Sequence, residues 1–220
     1  MEIINTRKKT SCILCSGKTE FFYRDENRGR SYYRCESCLS LMMDPADYLT
    51  QEEEKARYLT HNNDVEDPGY QKFVSPIVDA VLADYGPEDL GLDFGAGTGP
   101  VITSMLEEED YQLKLYDPFF HPHPEKLEDS YDYIVCCEVM EHFYHPYDEF
   151  KKLYGLLNPG GTLYCMTSIY HEGIDFDKWG YKDDETHVFF YHKEALEWIR
   201  REFGFKDLKI DKKLIKLIKK

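Results

Sequence analysis

Positive charge is scarce in this sequence. Its 220 residues contain 27 Lys and Arg against 42 Asp and Glu, a formal net charge of −15. Binding to a nucleic-acid backbone depends on clustered Lys and Arg, so this balance argues against a nucleic-acid partner. Residues 199–220 differ, with nine basic and three acidic side chains. We expect this basic tail to be a solvated face of the last elements; the alternative is a contact for an anionic partner.

Long apolar runs are also absent. No stretch approaches the ~18 apolar residues that a membrane span requires, and the first ten residues, MEIINTRKKT, lack the apolar core of a secretory signal. We therefore expect a cytoplasmic protein with no membrane partner, while its oligomeric state stays open. Cytoplasmic cysteines rarely form disulfides, so the seven cysteines need another explanation.

Four of the cysteines form two pairs with the spacing of a metal site. Cys12 and Cys15 stand in CILC, Cys35 and Cys38 stand in CESC, and nineteen residues separate the pairs. This pattern is typical of a tetrahedral Zn²⁺ site, and the intervening segment predicts two strands joined by an Asn-Arg-Gly turn. Four thiolates leave no position for water or substrate, so we predict a structural zinc ribbon over residues 1–45.

A polar, acidic connector is predicted over residues 46–69. Thr50 is placed to cap a short helix, and Tyr58, His61 and Asn62 are interpreted as solvated linker residues with a ligand contact as the alternative. The next segment has the apolar spacing of an amphipathic helix. Pro76 favours a helix start there, with Ser75 as its N-cap. A larger α/β domain is predicted over residues 70–220.

A glycine-rich turn organises this larger domain. The segment LGLDFGAGTGP carries a short apolar strand into Asp93 and then Gly95, Gly97 and Gly99. Such a turn lets the backbone approach a ligand beyond the carboxyl end of a strand. A second strand ends at Asp117, which lies 24 residues after Asp93, close to the offset of a ribose-binding acid in a βαβ nucleotide site.

The remaining pattern alternates strands and helices, which predicts a doubly wound, mostly parallel sheet. A strand leads into Glu138, another follows NPGG, and the chain closes with a helix and a pair of strands. Residues 169–186 form a long loop rich in aromatic and acidic residues, and we interpret it as a substrate lid.

These motifs together resemble class I S-adenosylmethionine-dependent methyltransferases. The resemblance rests on LDFGAGTG, LYDP, YDYIVCCEVMEH and LLNPGGTLYCMT in that order. It implies that Asp93, Gly95, Gly97 and Gly99 hold the methionine part of S-adenosylmethionine, that Asp117 holds the ribose, and that Glu138 lines the pocket near the sulfonium. The zinc ribbon resembles those that precede some bacterial sugar C-methyltransferases and ribosomal-RNA guanine methyltransferases. A nicotinamide enzyme is the competing interpretation, but its usual glycine spacing is G-x-G-x-x-G.

One part of the family pattern is missing. Only thirteen residues, FFHPHPEKLEDSY, separate Pro118 from Asp132, too few for a helix, a strand and a second helix. We therefore predict that the third strand of the usual sheet is absent. Adenine would then be held differently, against Phe119 or Phe120.

Two histidines are the candidate catalytic residues. His142 follows the strand that leads to Glu138, in E-x-x-E-H, and His187 follows the aromatic loop. Because a hydroxyl or amine acceptor needs a base, we hypothesise that His187 is the base or a substrate contact and that His142 shapes the pocket. A packing role is the alternative for each histidine.

Three functions are open. A small-molecule methyltransferase is favoured by the acidic charge and the aromatic loop. A ribosomal- or transfer-RNA methyltransferase is supported by the ribbon and the basic tail, and a catalytically idle binding module is the third. The methylated atom, whether oxygen, nitrogen or carbon, is not indicated.

Overall fold

The protein is described by a computed structural model over residues 11–60 and 64–220. Residues 1–10, used above in the search for a secretory signal, lie outside this part, as do His61 and Asn62. In the described part, no helix is both long and apolar enough to cross a membrane.

A small antiparallel sheet holds the cysteine pairs. β1 (Thr19–Asp25) and β2 (Arg30–Cys35) form the predicted hairpin, and β3 (Leu41–Met43) pairs with β2. The fourth strand, β8 (Phe189–Phe190), comes from the far end of the chain and pairs with β3. The cysteine-bearing sheet therefore includes a strand from the predicted large domain, and buried residues of both units pack in one hydrophobic cluster.

Two helices follow the small sheet. α1 (Gln51–Tyr58) begins at Thr50, whose side chain and that of Glu53 form a reciprocal capping box. α2 (Pro68–Asp84) is one continuous helix capped by Asp67, so the predicted start at Pro76 is wrong. Pro76 has no N–H for the carbonyl of Lys72, and the hydroxyl of Ser75 donates to that carbonyl instead, at 3.1 Å. Ser75 thus supports the helix interior rather than its start.

A six-stranded mixed sheet forms the large unit, with helices on both faces. Its order is β5-β4-β6-β7-β10-β9; the first four strands are parallel, and β10 is antiparallel to both neighbours. This arrangement confirms the predicted α/β fold and the closing strand pair. The strands are β4 (Leu90–Phe94), β5 (Gln112–Tyr116), β6 (Tyr131–Cys137), β7 (Leu157–Met166), β9 (Asp207–Asp211) and β10 (Leu214–Ile218), and the helices are α3 (Val101–Glu107), α4 (Pro146–Leu156) and α5 (Lys193–Phe203).

The predicted loss of the third strand is confirmed. β5 forms the edge of the sheet, and the fully described segment between β5 and β6 contains no strand. It holds only a bridge between Asp117 and His121 and one 3-10 turn, Pro124–Leu127. Thirteen residues cannot cross the sheet and return, so the chain runs directly from β5 back to β6.

The alternation of side chains along the strands fixes the two faces of the sheet. Tyr133 and Val135 of β6 pack in the cluster of α2 and α3, whereas Ile134 and Cys136 pack in the cluster that contains α4 and α5. The four parallel strands end at the same edge of the sheet. The loops after β4, β5 and β6 therefore meet there.

Candidate active site

The four N-terminal cysteines converge, as their spacing predicts. All four Sγ atoms lie within 4.8 Å of one another, with Cys12 and Cys38 at 3.7 Å and Cys15 and Cys35 at 3.5 Å. A tetrahedral Zn²⁺ with Zn–S bonds of about 2.3 Å separates its sulfurs by about 3.8 Å. The N–H groups of Ser37 and Cys38 also point at the Cys35 sulfur, at 3.4 Å each. The donor set and its spacing fit one closed, four-sulfur metal site.

The glycine turn after β4 is held by Asp117 at the end of β5. The Oδ2 atom of Asp117 accepts from the N–H of Gly97 at 3.1 Å, and its Oδ1 atom accepts from Phe119 and Phe120 at 2.8 and 3.0 Å. Gly95 and Gly97 both have positive φ angles, +84° and +63°, which disfavour any residue with a Cβ. A Cβ at Gly95 would also lie 2.5 Å from Val139. The turn and the acid thus form one fixed unit.

Asp93 lies behind this turn in an apolar setting. Its Oδ2 atom accepts from the hydroxyl of Thr103 at 2.8 Å. Burial raises the pKa of Asp93 to about 6, Thr103 opposes that shift, and the charge of Asp117 adds to it. A cation bound nearby would favour the ionised form of Asp93.

A cavity of about 990 Å³ opens at this edge of the sheet. Every residue predicted to bind the cofactor and both candidate histidines lie on its wall. The volume lies at the upper end of the range for small-molecule sites. The predicted members of the wall are Asp93, Gly95, Gly97, Gly99, Asp117, Glu138, His142 and His187.

Glu138 follows β6 in an unusual backbone conformation, with φ of +50°. Its Oε2 atom accepts from the Tyr181 hydroxyl at 3.2 Å, and its Oε1 atom lies 3.6 Å from the Lys213 ammonium. Burial and then the charge of Glu141 raise the pKa of Glu138 to about 7, and Lys213 partly opposes them. The positive φ is a strained setting for a residue with a side chain, as is common where a side chain must face a ligand.

The two histidines lie side by side, with ring centroids 4.8 Å apart. Nδ1 of His187 contacts the carbonyl of Tyr181 at 2.6 Å, and Nδ1 of His142 contacts the carbonyl of Thr186 at 3.0 Å. A carbonyl oxygen only accepts, so each Nδ1 carries a proton, and in a neutral ring the lone pair is then on Nε2. Burial lowers the pKa of His187, which favours its neutral form.

Part of the cavity wall comes from the connector, which the sequence did not predict to reach the site. Glu54, Tyr58 and Thr60 line the cavity, although the connector residue Tyr58 was interpreted as solvated. Tyr58 donates to Glu54 at 2.7 Å, and its ring packs edge-on to His142. The burial of Glu54 inside an otherwise acidic, exposed helix depends on this packing, and no local pattern marks it.

The segment predicted as a lid does something different. None of residues 169–186 lines the cavity. Phe176 is buried against aromatic rings of the small sheet, and Lys182 is buried as well. The segment therefore connects the cysteine unit to the large sheet. It also places Tyr181, whose carbonyl contacts Nδ1 of His187, next to the cavity wall. Tyr181 had not been singled out from the sequence, because it is one of several aromatic residues in this segment.

Comparison with known proteins identifies related sequences and folds. A family model described as a methyltransferase domain matches residues 69–210. No curated protein matches the sequence significantly. Among solved structures, an O-methyltransferase family protein from Burkholderia thailandensis has a TM-score of 0.51 at 13% identity, covering 75% of this chain and 61% of that one. PigF, solved with SAH, has a TM-score of 0.50 at 13% identity, covering 80% and 66%. This chain thus spans less than two thirds of those two proteins, and at these identities the likeness concerns the fold.

Proposed function

We propose that this chain, which belongs to the methyltransferase-domain family, transfers the methyl group of S-adenosylmethionine to a small-molecule acceptor in the cavity described above. One observation carries the proposal. The glycine turn, the two aspartates at the ends of β4 and β5, and the histidine pair all face the same 990 Å³ cavity. The glycine turn and the candidate acid–base groups could therefore contact a cofactor and an acceptor that are bound together in this cavity.

The wall suits the cofactor in shape and in charge. S-adenosylmethionine carries a sulfonium and an ammonium group, and the cavity presents the carboxyl groups of Asp93, Asp117 and Glu138. Within residues 11–60 and 64–220, the Oδ2 atom of Asp117 accepts one backbone N–H, that of Gly97, so this oxygen can also accept from a ribose hydroxyl. Gly95, Gly97 and Gly99 would lie along the methionine part. The ring of Phe119 or Phe120 would stack on adenine, in place of contacts from the missing strand.

The bound cofactor supplies a methyl carbon that is activated by its positive sulfur. The protein then has to align the acceptor with that carbon and keep water away, which accounts for much of the rate of a bimolecular displacement. His187 is the proposed base or acceptor contact, because it lines the cavity and its burial lowers the pKa of the ring, which favours the neutral form that can accept a proton. His142 shapes the same wall, packed between Tyr58 and His187.

A small molecule is the favoured acceptor, and the methylated atom is open between oxygen, nitrogen and carbon. An RNA methyltransferase would need the basic tail as a contact surface. Three of the tail's lysines have partners inside the protein. Lys213 pairs with Glu138, Lys216 with Asp84, and Lys219 donates to the carbonyls of Tyr154 and Leu157. These partners reduce the positive charge that the tail offers to a phosphate backbone.

A structural Zn²⁺ is proposed for Cys12, Cys15, Cys35 and Cys38. The four sulfurs fill a tetrahedral shell, so the ion would stabilise the cysteine unit and take no part in methyl transfer. Such a crosslink would fix the two cysteine turns relative to each other, while the sheet they flank also packs on the large unit.

Calorimetric titration with S-adenosylhomocysteine tests the cofactor site. We expect saturable binding, and absence of binding at millimolar ligand would favour the idle binding module over both enzyme functions. Mass-spectrometric screening of metabolite extracts with isotopically methyl-labelled cofactor would then identify the acceptor. With that acceptor, His187→Ala and His142→Ala are each expected to slow transfer by about 10²-fold or more. If both variants keep the full rate, the histidine assignment is wrong.

A further inference from the structure

Three side chains from two separate segments converge at the back of the cavity. Glu141 and His142 lie in the turn after β6, and His187 lies just before β8. One carboxylate oxygen and one ring nitrogen from each histidine lie within 4.8 Å of one another. The Oε1 atom of Glu141 is 3.9 Å from Nε2 of His187. We call this group the Glu-His-His cluster.

The histidine rings are oriented as metal ligands usually are. Each Nδ1–H donates to a backbone carbonyl, that of Tyr181 for His187 and that of Thr186 for His142. In metal sites such a bond fixes the tautomer, so that Nε2 presents its lone pair to the ion. Because the two carbonyls belong to the same segment, one stretch of backbone orients both rings.

Glu141 is a buried carboxyl group with few partners. Its side chain is fully buried, and its Oε2 atom has no hydrogen-bond partner among the described residues. Its Oε1 atom accepts from the Tyr181 hydroxyl, a neutral donor. No Lys or Arg in the described segments pairs with Glu141, and the nearby His187 is itself buried. A buried carboxylate without a compensating charge is costly, and a bound cation removes that cost.

We propose that the Glu-His-His cluster binds a divalent transition-metal cation, with Oε1 of Glu141 and Nε2 of His142 and His187 as its ligands. One carboxylate and two imidazoles suit Zn²⁺, Fe²⁺, Mn²⁺ or Co²⁺ rather than Ca²⁺ or Mg²⁺. Ligand bonds of about 2.1 Å separate neighbouring donors in a tetrahedral site by about 3.4 Å. The observed 3.9 Å between Glu141 and His187 and the 4.8 Å limit for the whole cluster are both longer, so the three side chains would move together when an ion binds. Both histidines line the cavity, so an ion held by the cluster would lie next to the space proposed for the acceptor.

This inference rests on the proposed methyl transfer and favours an acceptor that loses a proton when an ion holds it, such as a hydroxyl compound. A hydroxyl group held by the ion loses its proton to solvent more readily, because the ion lowers its pKa. Its oxygen lone pair then forms a bond to the methyl carbon of the cofactor. The carbon–sulfur bond breaks as that bond forms, and its electron pair stays on sulfur, which leaves S-adenosylhomocysteine. His187 becomes a ligand in this scheme rather than the proton acceptor.

Metal stoichiometry of the full chain is the direct test. The protein is equilibrated with Zn²⁺, freed of excess by gel filtration and assayed by elemental mass spectrometry. We expect two ions per chain in the native sequence, one in the four-cysteine site and one in the cluster. His187→Ala and Glu141→Gln are expected to retain one ion. His145→Ala is the matched control, because His145 lines the same cavity outside the cluster, and it is expected to retain two.

Co²⁺ substitution assigns each ion to its site. Thiolate-to-cobalt charge-transfer bands report the four-cysteine site and should persist in the cluster variants, which also shows that these variants fold. If Glu141→Gln does not fold, His142→Ala replaces it. One ion per native chain, or two ions in His187→Ala, would overturn the metal site.

Binding of S-adenosylhomocysteine, measured on the same samples, separates the two proposals. Cofactor binding with one ion per chain would contradict the metal site but remain consistent with the proposed methyl transfer. Two ions without cofactor binding would support the metal site as a binding site and overturn its role in methyl transfer.

Discussion

Lys182 and Asp25 form a buried ion pair that joins the cysteine unit to the segment carrying Tyr181 and His187. The Lys182 ammonium lies 3.2 Å from Oδ2 of Asp25, and the two side chains are only 2% and 3% exposed. Asp25 closes β1, and Lys182 precedes His187 by five residues. The small sheet is therefore bonded to the stretch of chain that leads to His187, which lines the cavity.

Removing this lysine should destabilise the protein strongly. Lys182→Met removes the ammonium partner of Asp25 and leaves it the guanidinium of Arg28, at 3.3 Å. We expect a loss of about 1.5–3 kcal/mol in the free energy of unfolding. Urea denaturation measures it. Lys178→Met is the matched control, because Lys178 pairs with Asp175 in solvent, with both side chains more than half exposed; its effect should stay below about 1 kcal/mol. Equal effects of the two substitutions would contradict the role assigned to the buried pair.

Loss of metal from the four cysteines should loosen β8. Phe189 and Phe190 pair with Met42 and Leu41, and the N–H of Met43 donates to the carbonyl of Val188 at 2.9 Å. When a chelator removes the ion, we expect amide hydrogen exchange across residues 188–190 to accelerate at least about tenfold, or about 1.4 kcal/mol.

The backbone amide of Ile134, in the middle of the large sheet, serves as the internal reference for that experiment. Its hydrogen should exchange at an unchanged rate if the large sheet stays folded. Unaltered exchange at residues 188–190 would show that β8 is held without the cysteine site.

Asp117 should contribute to cofactor affinity more than an aspartate outside the cavity does. Asp117→Ala removes the acceptor of three backbone N–H groups in the glycine turn and the loop after β5. Each such bond to a charged acceptor is worth about 1.5–3 kcal/mol. We expect the affinity for S-adenosylhomocysteine to fall at least about tenfold in calorimetric titration.

Asp132→Ala is the matched control for Asp117. Asp132 also accepts a backbone N–H, from Leu90 at 2.9 Å, but it lies at the opposite ends of the strands and outside the cavity wall. Its substitution should leave the affinity within about twofold. A similar loss in both variants would mean that overall stability, and not the turn, sets the affinity.

Asp93 should make the unliganded protein less stable as the pH rises. Its pKa is about 6 in the folded state against an ordinary value of 3.8, so the folded state binds the extra proton between these values. The contribution of this group to the free energy of unfolding is greatest below pH 3.8, and it is lost as the pH rises through 6. The total is about 3 kcal/mol, of which about 1.4 kcal/mol falls between pH 5 and pH 7.5.

The comparison with Asp93→Asn isolates that contribution, because the variant cannot ionise at this position. Urea unfolding at both pH values should show the native chain losing stability relative to the variant as the pH rises. A constant difference between the two proteins would mean that Asp93 titrates normally.

The aromatic pair after β5 should contribute to adenine binding. Phe119 and Phe120 line the cavity beside the glycine turn, with ring centroids 6.3 Å apart. Stacking of a base on an aromatic ring is worth about 1–3 kcal/mol. We expect Phe119→Ala or Phe120→Ala to weaken S-adenosylhomocysteine binding five- to hundredfold.

Phe21→Ala tests whether any exposed aromatic residue has the same effect, since Phe21 is 43% exposed on the small sheet. Its affinity should match the native value. If both loop variants also bind like the native chain, adenine is held elsewhere.

The amino-acid sequence by itself determined the features that depend on local spacing and chain length. Two C-x2-C pairs bring four sulfurs together through tight turns. A strand that runs into Asp93 and alternating glycines forms a tight turn at the edge of the sheet. The absence of the third strand followed from a length limit, because thirteen residues cannot cross the sheet twice. These properties gave the methyltransferase prediction, which the family match confirms.

Only the tertiary structure decided which distant side chains meet. The pairing of Leu41 with Phe190 joins residues far apart in the chain, and so does the hydroxyl of Tyr181, shared between Glu138 and Glu141. The same holds for the connector helix that brings Glu54 and Tyr58 to the cavity wall. Local periodicity cannot foresee such contacts, since each depends on how two folded surfaces pack. In this protein those contacts determine which carboxyl and imidazole groups lie on or beside the cavity wall.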